Sequence, residues 1–407
     1  MMASNAQAGL LEGISVVECG QGVSASFAGR LMADLGADVV KVEAPQGDST
    51  RARGPFPQGR PDPDKSGLFI YLNANKRGVK IDLSQGEGRA LLIGLLRDAD
   101  VLIHNVHSAD RDAIGLGSDR LAALHPRLIV TTISPFGDTG PYSQWRASSL
   151  NLVHGGGWAF LTPLSSTQPE LPPLKVFGQQ ADFLAGCFAF YATLAAYRNR
   201  VRTGKGQTID VCEQECVASI LEMHFMRYTY GGREISRLDE YRTGVSGILD
   251  CIDGPVYILA HEEGEWHRLV EVLGHPQWAA DERFKDSPSR ARNHDAVIGL
   301  LQECTRQRTV DEFFAACRQH NVICTPINSM QRVYMDPHLR ERGCFAPLDQ
   351  PGVGSLTLPG PPSRFSNGGS TPRTAAPRLG QHTEEILKQR LGMNPDEIAA
   401  LRSRAVI

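Results

Sequence analysis

The 407-residue chain opens without a basic or strongly apolar segment and has no long hydrophobic run or concentration of positive charge. Its opening residues, MMASNAQAGLLEG, have neither the n-region nor the h-region of a signal peptide, so none is expected. The longest uncharged apolar stretch, residues 183–197, falls short of the roughly 20 residues a bilayer requires. It also contains Gly186 and Thr193, so it reads as a buried helix, and no membrane partner is expected. With 42 basic against 45 acidic residues and no clustered basic face, nucleic acid is not an expected partner either. The nine cysteines are odd in number, scattered and mostly set in apolar stretches, which reads as reduced core thiols of a cytoplasmic protein. Cys212 and Cys216 are the only close pair, and no second pair or nearby His completes a zinc set. His104 and His107 stand three apart without an HExxH pattern or a carboxylate partner. The expectation is no metal.

What is present is an ordinary globular composition, 41% hydrophobic and 21% charged, with room for about two domains. The first part alternates strands (14–18, 38–43, 78–83, 100–104, 127–134) with helices (24–35, 86–98, 118–125), interrupted by a Gly/Pro/Arg-rich loop over 45–65. Such alternation predicts βαβ units and a doubly wound parallel sheet, a Rossmann-like α/β domain. A turn-rich segment (134–145), a helix near 149–159, a Pro/Ser/Thr loop (162–173), the apolar helix 182–199, a strand (207–211) and a helix (213–230) follow. Composition changes near Gly231, and from there to about 328 the pattern suggests a smaller α+β unit, with strands 256–260 and 322–326 and helices 265–273, 293–307 and 310–320. A Pro/Gly-dense tail (336–378) precedes a last helix, 383–391.

Two features carry chemistry. Gly20-Gln21-Gly22-Val23-Ser24-Ala25 matches GxGxxG/A between a strand and a helix, and Glu43 ends the next strand about 20 residues on, as in a dinucleotide fingerprint. The same backbone N–H groups serve other nucleotides and anions, and no hydride-handling His or Tyr–Lys arrangement accompanies the motif. The second feature is Asp182, a single carboxylate at the mouth of ADFLAGCFAFYATLAAY, just after Gly178-Gln179-Gln180. Taken alone it is a helix cap or a nucleophile, with the cap the simpler reading.

Several stretches, in order along nearly the whole chain, resemble the family III CoA transferases. They are LLEGISVVECGQGVSASFAGRLMADLGADVVKVEAPQGD (10–48), LNANKRGVKIDL (72–83), ADVLIHNV (99–106), HPRLIVTTISPFGDTGP (125–141), QADFLAGCFAFYATLAAYRNRVRTGKGQTIDV (180–211), DPHLRERGCF (336–345) and APRLGQHTEEIL (376–387). That family includes formyl-CoA and carnitine CoA transferases, with α-methylacyl-CoA racemases as close relatives. The resemblance implies a large Rossmann-like CoA-binding domain from residues 1–225 and a return segment 336–407, a small α+β domain over 231–330, and an interlocked homodimer. It implies CoA transfer between an acyl-CoA and a carboxylic acid, with CoA as co-substrate and no permanently bound cofactor.

Asp182 falls on the family's nucleophilic aspartate, which passes through a mixed anhydride to an aspartyl-CoA thioester. A helix start would keep that carboxylate ionised, so cap and nucleophile are compatible. Gln179, Gln180 and Gly186 would supply oxyanion donors or room for the pantetheine arm, although Gly186 equally suits close helix packing. The resemblance further assigns CoA contacts to Val23, Ser24, Ile81, Ser84, Asn105, Val106, His107, Ala113, Ile114 and Arg146. Arg146 is either a phosphate cation or a solvated surface arginine, and Asn105 either a ligand or a strand-end turn residue. The chain departs from the family at Asn105-Val106-His107-Ser108-Ala109, where Asn-Phe-Arg-Pro-Gly is common, and at Ala44, where some members have a cation. Ser148-Ser149 replaces the racemases' His-Asp pair, with His154 one helical turn on as a weak substitute. Gly231-Gly232 and Gly244-Val245-Ser246-Gly247 are short candidates for a glycine lid. A CoA-ester racemase or isomerase and an NAD-binding Rossmann protein remain the alternatives. Substrate-pocket residues are expected from 134–150, 215–245 and a partner's small domain, with Arg227, Arg233, Arg237 and Arg242 as cations for a dicarboxylate such as succinate.

Overall fold

The computed structural model describes residues 9–163, 168–238, 244–367 and 374–407. They divide into two compact units, one drawn from residues 9–162, 173–234 and 341–407, the other from 163–172 and 235–340. Among the described residues no helix is long and apolar enough to cross a membrane.

The first unit is built on six strands: β1 (Ser15–Glu18), β2 (Asp38–Glu43), β3 (Arg77–Lys80), β4 (Val101–His104), β5 (Ile129–Ser134) and β6 (Thr208–Cys212). All pairings are parallel, and the spatial order is β3-β2-β1-β4-β5-β6. The strands are short and rich in Val and Ile because both of their faces are covered. Val17, Val40 and Leu102 point to one apolar cluster, and their neighbours Val16, Val39 and Val101 point to the other. The first cluster is closed by the helices Gly86–Leu96, Ser118–Leu124, Thr383–Leu391 and Pro395–Ser403, and by Val406 and Ile407. The helices Ser24–Asp34, Gln180–Thr203 and Glu213–Ser219 close the second.

Several elements differ from the sequence reading. Helix Thr383–Leu391 is not the last: Pro395–Ser403 follows, with Asn394 and Glu397 forming a reciprocal capping box and Pro395 in the first turn. The Pro/Gly-dense tail contains a hairpin, β10 (Phe345–Gln350) and β11 (Gly354–Pro359), whose Leu348 and Leu358 pack with Phe69, Ile70 and Ala376. The single helix expected over 213–230 is two, Glu213–Ser219 and Glu222–Thr229.

In the second unit β7 (Val245–Cys251), β8 (Gly254–Ala260) and β9 (Ile323–Pro326) form an antiparallel sheet in that order. Helices Glu263–Val272, His294–Thr305 and Val310–Gln319 share its core. The lid candidate at 244–247 is the start of β7: Gly244 takes a left-handed φ of 69°, and Val245, Leu249 and Cys251 then alternate inward. Packing of that alternating face makes the segment a strand.

At the carboxyl ends of β1 and β2 lies a fully buried ion network. Lys41 Nζ reaches Glu18 Oε1 at 2.7 Å and Asp48 Oδ2 at 2.8 Å, and donates to Ser26 Oγ at 3.0 Å and the Gly20 carbonyl at 3.3 Å. Lys76 Nζ donates to Glu18 Oε2 at 2.6 Å, the Ser26 carbonyl at 2.7 Å and Asn73 Oδ1 at 2.9 Å. Burial alone would raise the Glu18 pKa, but the two ammonium groups outweigh it and hold the carboxyl below its usual range. Replacing Lys41 by Met should therefore destabilise the protein by about 3–5 kcal/mol, because Glu18 and Asp48 lose a partner they cannot exchange for water. Urea unfolding of Lys41→Met against wild type checks this, and an unchanged midpoint would refute it.

Candidate active site

The strand order reverses between β1 and β4, where a parallel sheet leaves a crevice at its carboxyl edge. A cleft of about 950 Å³ opens there. One wall is the first turn after β1. Gly20 is required at this turn because a Cβ would lie 2.6 Å from Asn105 Oδ1, and Gly22 has a φ of 76°. Asn105, at the end of β4, clamps the turn: its Oδ1 accepts from Gln21 N at 2.9 Å and its Nδ2 donates to the Gln21 carbonyl at 2.6 Å and Ser24 Oγ at 3.3 Å. Asn105 is thus a turn residue whose side chain also lines the cleft. Opposite lies the loop after β2, with Asp48 Oδ1 accepting from Gly22 N at 3.3 Å.

The dinucleotide reading fails on Glu43. Its Oε2 accepts from Arg51 Nε at 2.7 Å and Asp48 N at 3.0 Å, and its Oε1 accepts from Arg51 Nη2 at 2.8 Å. A carboxylate so engaged is not available to hold a ribose hydroxyl.

Of the sequence-assigned residues, Asp182, Ser24, Ser84, Asn105, Val106, His107, Ile114 and Arg146 line the cleft. Val23 is buried at the entry to helix Ser24–Asp34. The Ile81 side chain belongs to the apolar cluster under the sheet, and Ala113 is exposed outside the lining. Their side chains are therefore not cleft contacts. Arg146 is, among the described residues, the one Arg or Lys in the lining; it pairs with Asp110 Oδ2 at 2.8 Å while remaining largely exposed at the rim. His107 accepts from Ala109 N through Nδ1 at 3.3 Å, leaving Nε2 buried without a partner.

Asp182 is not the cap of its helix. Gln179 holds that position, and Asp182 sits in the first turn of Gln180–Thr203. Its Oδ2 is buried and has no hydrogen-bond partner, as has the Ser149 hydroxyl. Burial pushes the Asp182 pKa above the usual aspartate range, while the Ser149 hydroxyl, its own backbone N–H, Arg53 and Lys175 pull it back part of the way. The helix start moderates this rise but does not reverse it. Beside it stands Glu213, which the sequence reading took only as the beginning of a helix. Glu213 is buried, lines the same cleft, and is pushed up to about 7, first by burial and then by the charge of Asp182, with the Ser24 hydroxyl opposing. The available signal was its position immediately after a strand of the parallel sheet, at the carboxyl edge.

Other assignments fall away from the cleft. Gln180 donates to the Phe177 carbonyl at 3.2 Å, and neither it nor Gln179 lines the cavity. Gly186 has a packing role: a Cβ there would stand 2.9 Å from the Ser24 carbonyl and 3.1 Å from Phe27. His154 Nδ1 contacts the Leu150 carbonyl at 2.8 Å and lies outside the lining, so it does not restore the racemases' base. Arg237 is buried and donates to the carbonyls of Gln168, Pro169 and Leu171. Arg227 and Arg233 do not line the cleft, and Arg242 lies outside the described residues.

Comparison with known proteins bears on this geometry. The model of CoA-transferase family III matches residues 11–383. The chain is 30% identical over 391 residues to the succinate–glutarate CoA-transferase of Agrobacterium fabrum, covering 93% of this chain and 95% of that protein. It is 30% identical over 417 residues to the formyl-CoA:oxalate CoA-transferase of Streptomyces coelicolor, covering 98% and 99%. The solved structure of a CAIB/BAIF family protein from Brucella suis is 32% identical, with a TM-score of 0.85 over 94% of this chain and all of that one.

The packing role of Gly186 is testable without substrate. Gly186→Ala should cost about 1–3 kcal/mol of stability, since one of the atoms it meets is backbone and cannot rotate away. Thermal unfolding measures it, and an unchanged midpoint would return Gly186 to a ligand role.

Proposed function

The chain belongs to CoA-transferase family III and is an acyl-CoA:carboxylate CoA-transferase, and we propose that Asp182 is its nucleophile. The observation that carries this reading is the unpartnered, buried Oδ2 of Asp182 in the cleft at the reversal of strand order. A carboxylate oxygen held without a hydrogen-bond partner keeps its lone pairs for an incoming carbonyl.

The reaction proceeds by Asp182 attacking the donor thioester to give a mixed anhydride, which the released CoA attacks to leave an aspartyl-CoA thioester and the free donor acid. The acceptor carboxylate repeats the sequence in reverse. Thioester and anhydride are both activated acyl species, so exchange proceeds without ATP, metal or a resident cofactor. CoA extends along the carboxyl ends of the strands, past Ser24, Ser84, Asn105, His107 and Ile114, with Arg146 meeting a phosphate at the rim. A dicarboxylate acceptor is the substrate class favoured by the names of the relatives, which pair succinate with glutarate and formyl-CoA with oxalate.

The active form in this reading is an interlocked homodimer in the cytoplasm. What supports the dimer is the helix Glu222–Thr229, which buries none of its residues and leaves Met223, Phe225, Met226 and Tyr228 exposed, with Tyr230 beyond it. The odd, scattered set of nine cysteines suits a reducing compartment.

Asp182→Asn should abolish CoA exchange between acids, and mass spectrometry of wild type quenched with acyl-CoA should find a CoA adduct on Asp182. Retained exchange in the variant would sink the assignment. Because burial raises the Asp182 pKa and the ionised form attacks, the acidic limb of kcat should climb with pH through a value above the ordinary aspartate range. A pH–rate profile already flat from the ordinary aspartate range upward would contradict this. Light scattering should return about twice the 44.4 kDa chain mass, and a monomer would refute the dimer.

A further inference from the structure

We propose that Glu213 is a second catalytic carboxylate, one that carries the proton of the CoA thiol between the two halves of the transfer. The proposal rests on Asp182 as nucleophile. Its geometric basis is placement. Glu213 is the first residue of helix Glu213–Ser219, directly after β6, and lines the same cleft as Asp182. It is buried there, with the Ser24 hydroxyl beside it and, among the described residues, no cation paired to it.

Attack of Asp182 on the thioester yields a tetrahedral adduct that can expel either a carboxylate or a thiolate. The carboxylate is the weaker base and leaves more readily, so an unassisted adduct falls back to reactants. A proton passed from Glu213 to sulfur changes that balance. The C–S bond breaks, an S–H bond forms, Asp182 is joined to the acyl group as an anhydride, and Glu213 is left as a carboxylate. In the next step Glu213 takes the proton back as sulfur attacks the Asp182 carbonyl carbon. The S–C bond forms, the anhydride C–O bond breaks, and the donor acid departs as a carboxylate. The proton has returned to its origin.

The timing follows from charge. While Asp182 is ionised, burial and then the Asp182 charge keep the proton on Glu213. Acylation cancels that charge and makes Glu213 the stronger acid at the step where sulfur needs a proton. Glu213 holds its proton up to about 7, a strength well matched to general acid and base work at neutral pH. Most of the titratable groups around it are committed: Asp210, on the preceding strand, accepts from Asp138 N, while Glu215 is exposed to solvent. Across the cleft Glu43 is paired with Arg51, Asp48 with Lys41 and Arg146 with Asp110, Asp82 accepts from Ser84 and Gln85, and His107 Nε2 is open. On its own strand and helix, burial keeps the Cys212 and Cys216 thiols protonated.

The test is steady-state kinetics of Glu213→Gln and Glu213→Asp from pH 5 to 9, with acid-quench trapping of CoA on Asp182. Glu213→Gln should lose about 10²–10⁴-fold in kcat with little change in KM for acyl-CoA. Wild-type kcat should fall above about pH 7 as Glu213 loses its proton; Glu213→Gln should lack that fall, and Glu213→Asp should recover part of the rate with the fall displaced. A kcat within about threefold of wild type, or a loss that keeps the wild-type alkaline fall, would overturn the proposal. If the Gln variant does not fold, the alkaline limb of the Asp variant decides, and an undisplaced limb refutes it. Slow accumulation of the Asp182 adduct in Glu213→Gln separates a missing proton carrier from a wrong nucleophile, for which wild type itself would show no adduct.

Discussion

The site depends on one buried ammonium. Lys41 lies on β2, inside a parallel sheet whose faces are both covered, where an unpaired charge would cost several kcal/mol. Its bonds to Glu18, Asp48, Ser26 and the Gly20 carbonyl join the ends of two strands, the first turn, the adjoining helix and the loop after β2. Because those groups come from separate stretches of chain, satisfying the charge fixes where they meet. The floor of the cleft is set by that requirement, and Asp48, held by Lys41, in turn accepts from Gly22 N.

A second constraint comes from desolvation. The long helix Gln180–Thr203 crosses helix Ser24–Asp34 closely enough that Gly186 has no room for a Cβ. That approach brings Asp182, Ser24 and Glu213 around one volume, with the Ser149 hydroxyl next to Asp182. Two carboxylates in one poorly solvated cavity do not ionise independently. Each raises the cost of charge on the other, and the one with less compensation keeps its proton. Asp182 has Arg53 and Lys175 in range, whereas Glu213 has only a hydroxyl. Packing of small residues thus becomes an assignment of protons.

Much of the architecture was legible because it rests on local periodicity. The apolar strands of the parallel sheet, the helix that begins at Ser24 and the helix Thr383–Leu391 follow from composition and spacing, since a strand covered on both faces must be apolar throughout. The hairpin β10–β11 and the strand β7 were hidden because their residues alternate weakly and sit among glycines and prolines. Only packing of one face, Leu348 and Leu358 in one case and Val245 and Leu249 in the other, makes them strands. The helix Pro395–Ser403 was hidden for a different reason: its start signal, Asn394-Pro395 with Glu397, was present but unread.

The amino-acid sequence by itself determined the fold class, the glycine turn, the prominence of Asp182 and the resemblance that carries the chemistry, because each is encoded in contiguous residues. Only the tertiary structure decided that Glu43 is consumed by Arg51, that Arg237 serves backbone carbonyls, that Asp182 lies inside the first turn with a raised pKa, and that Glu213 shares its cavity. Those facts depend on which groups distant in the chain exclude water from one another, and desolvation is a property of the assembled volume that no local pattern contains.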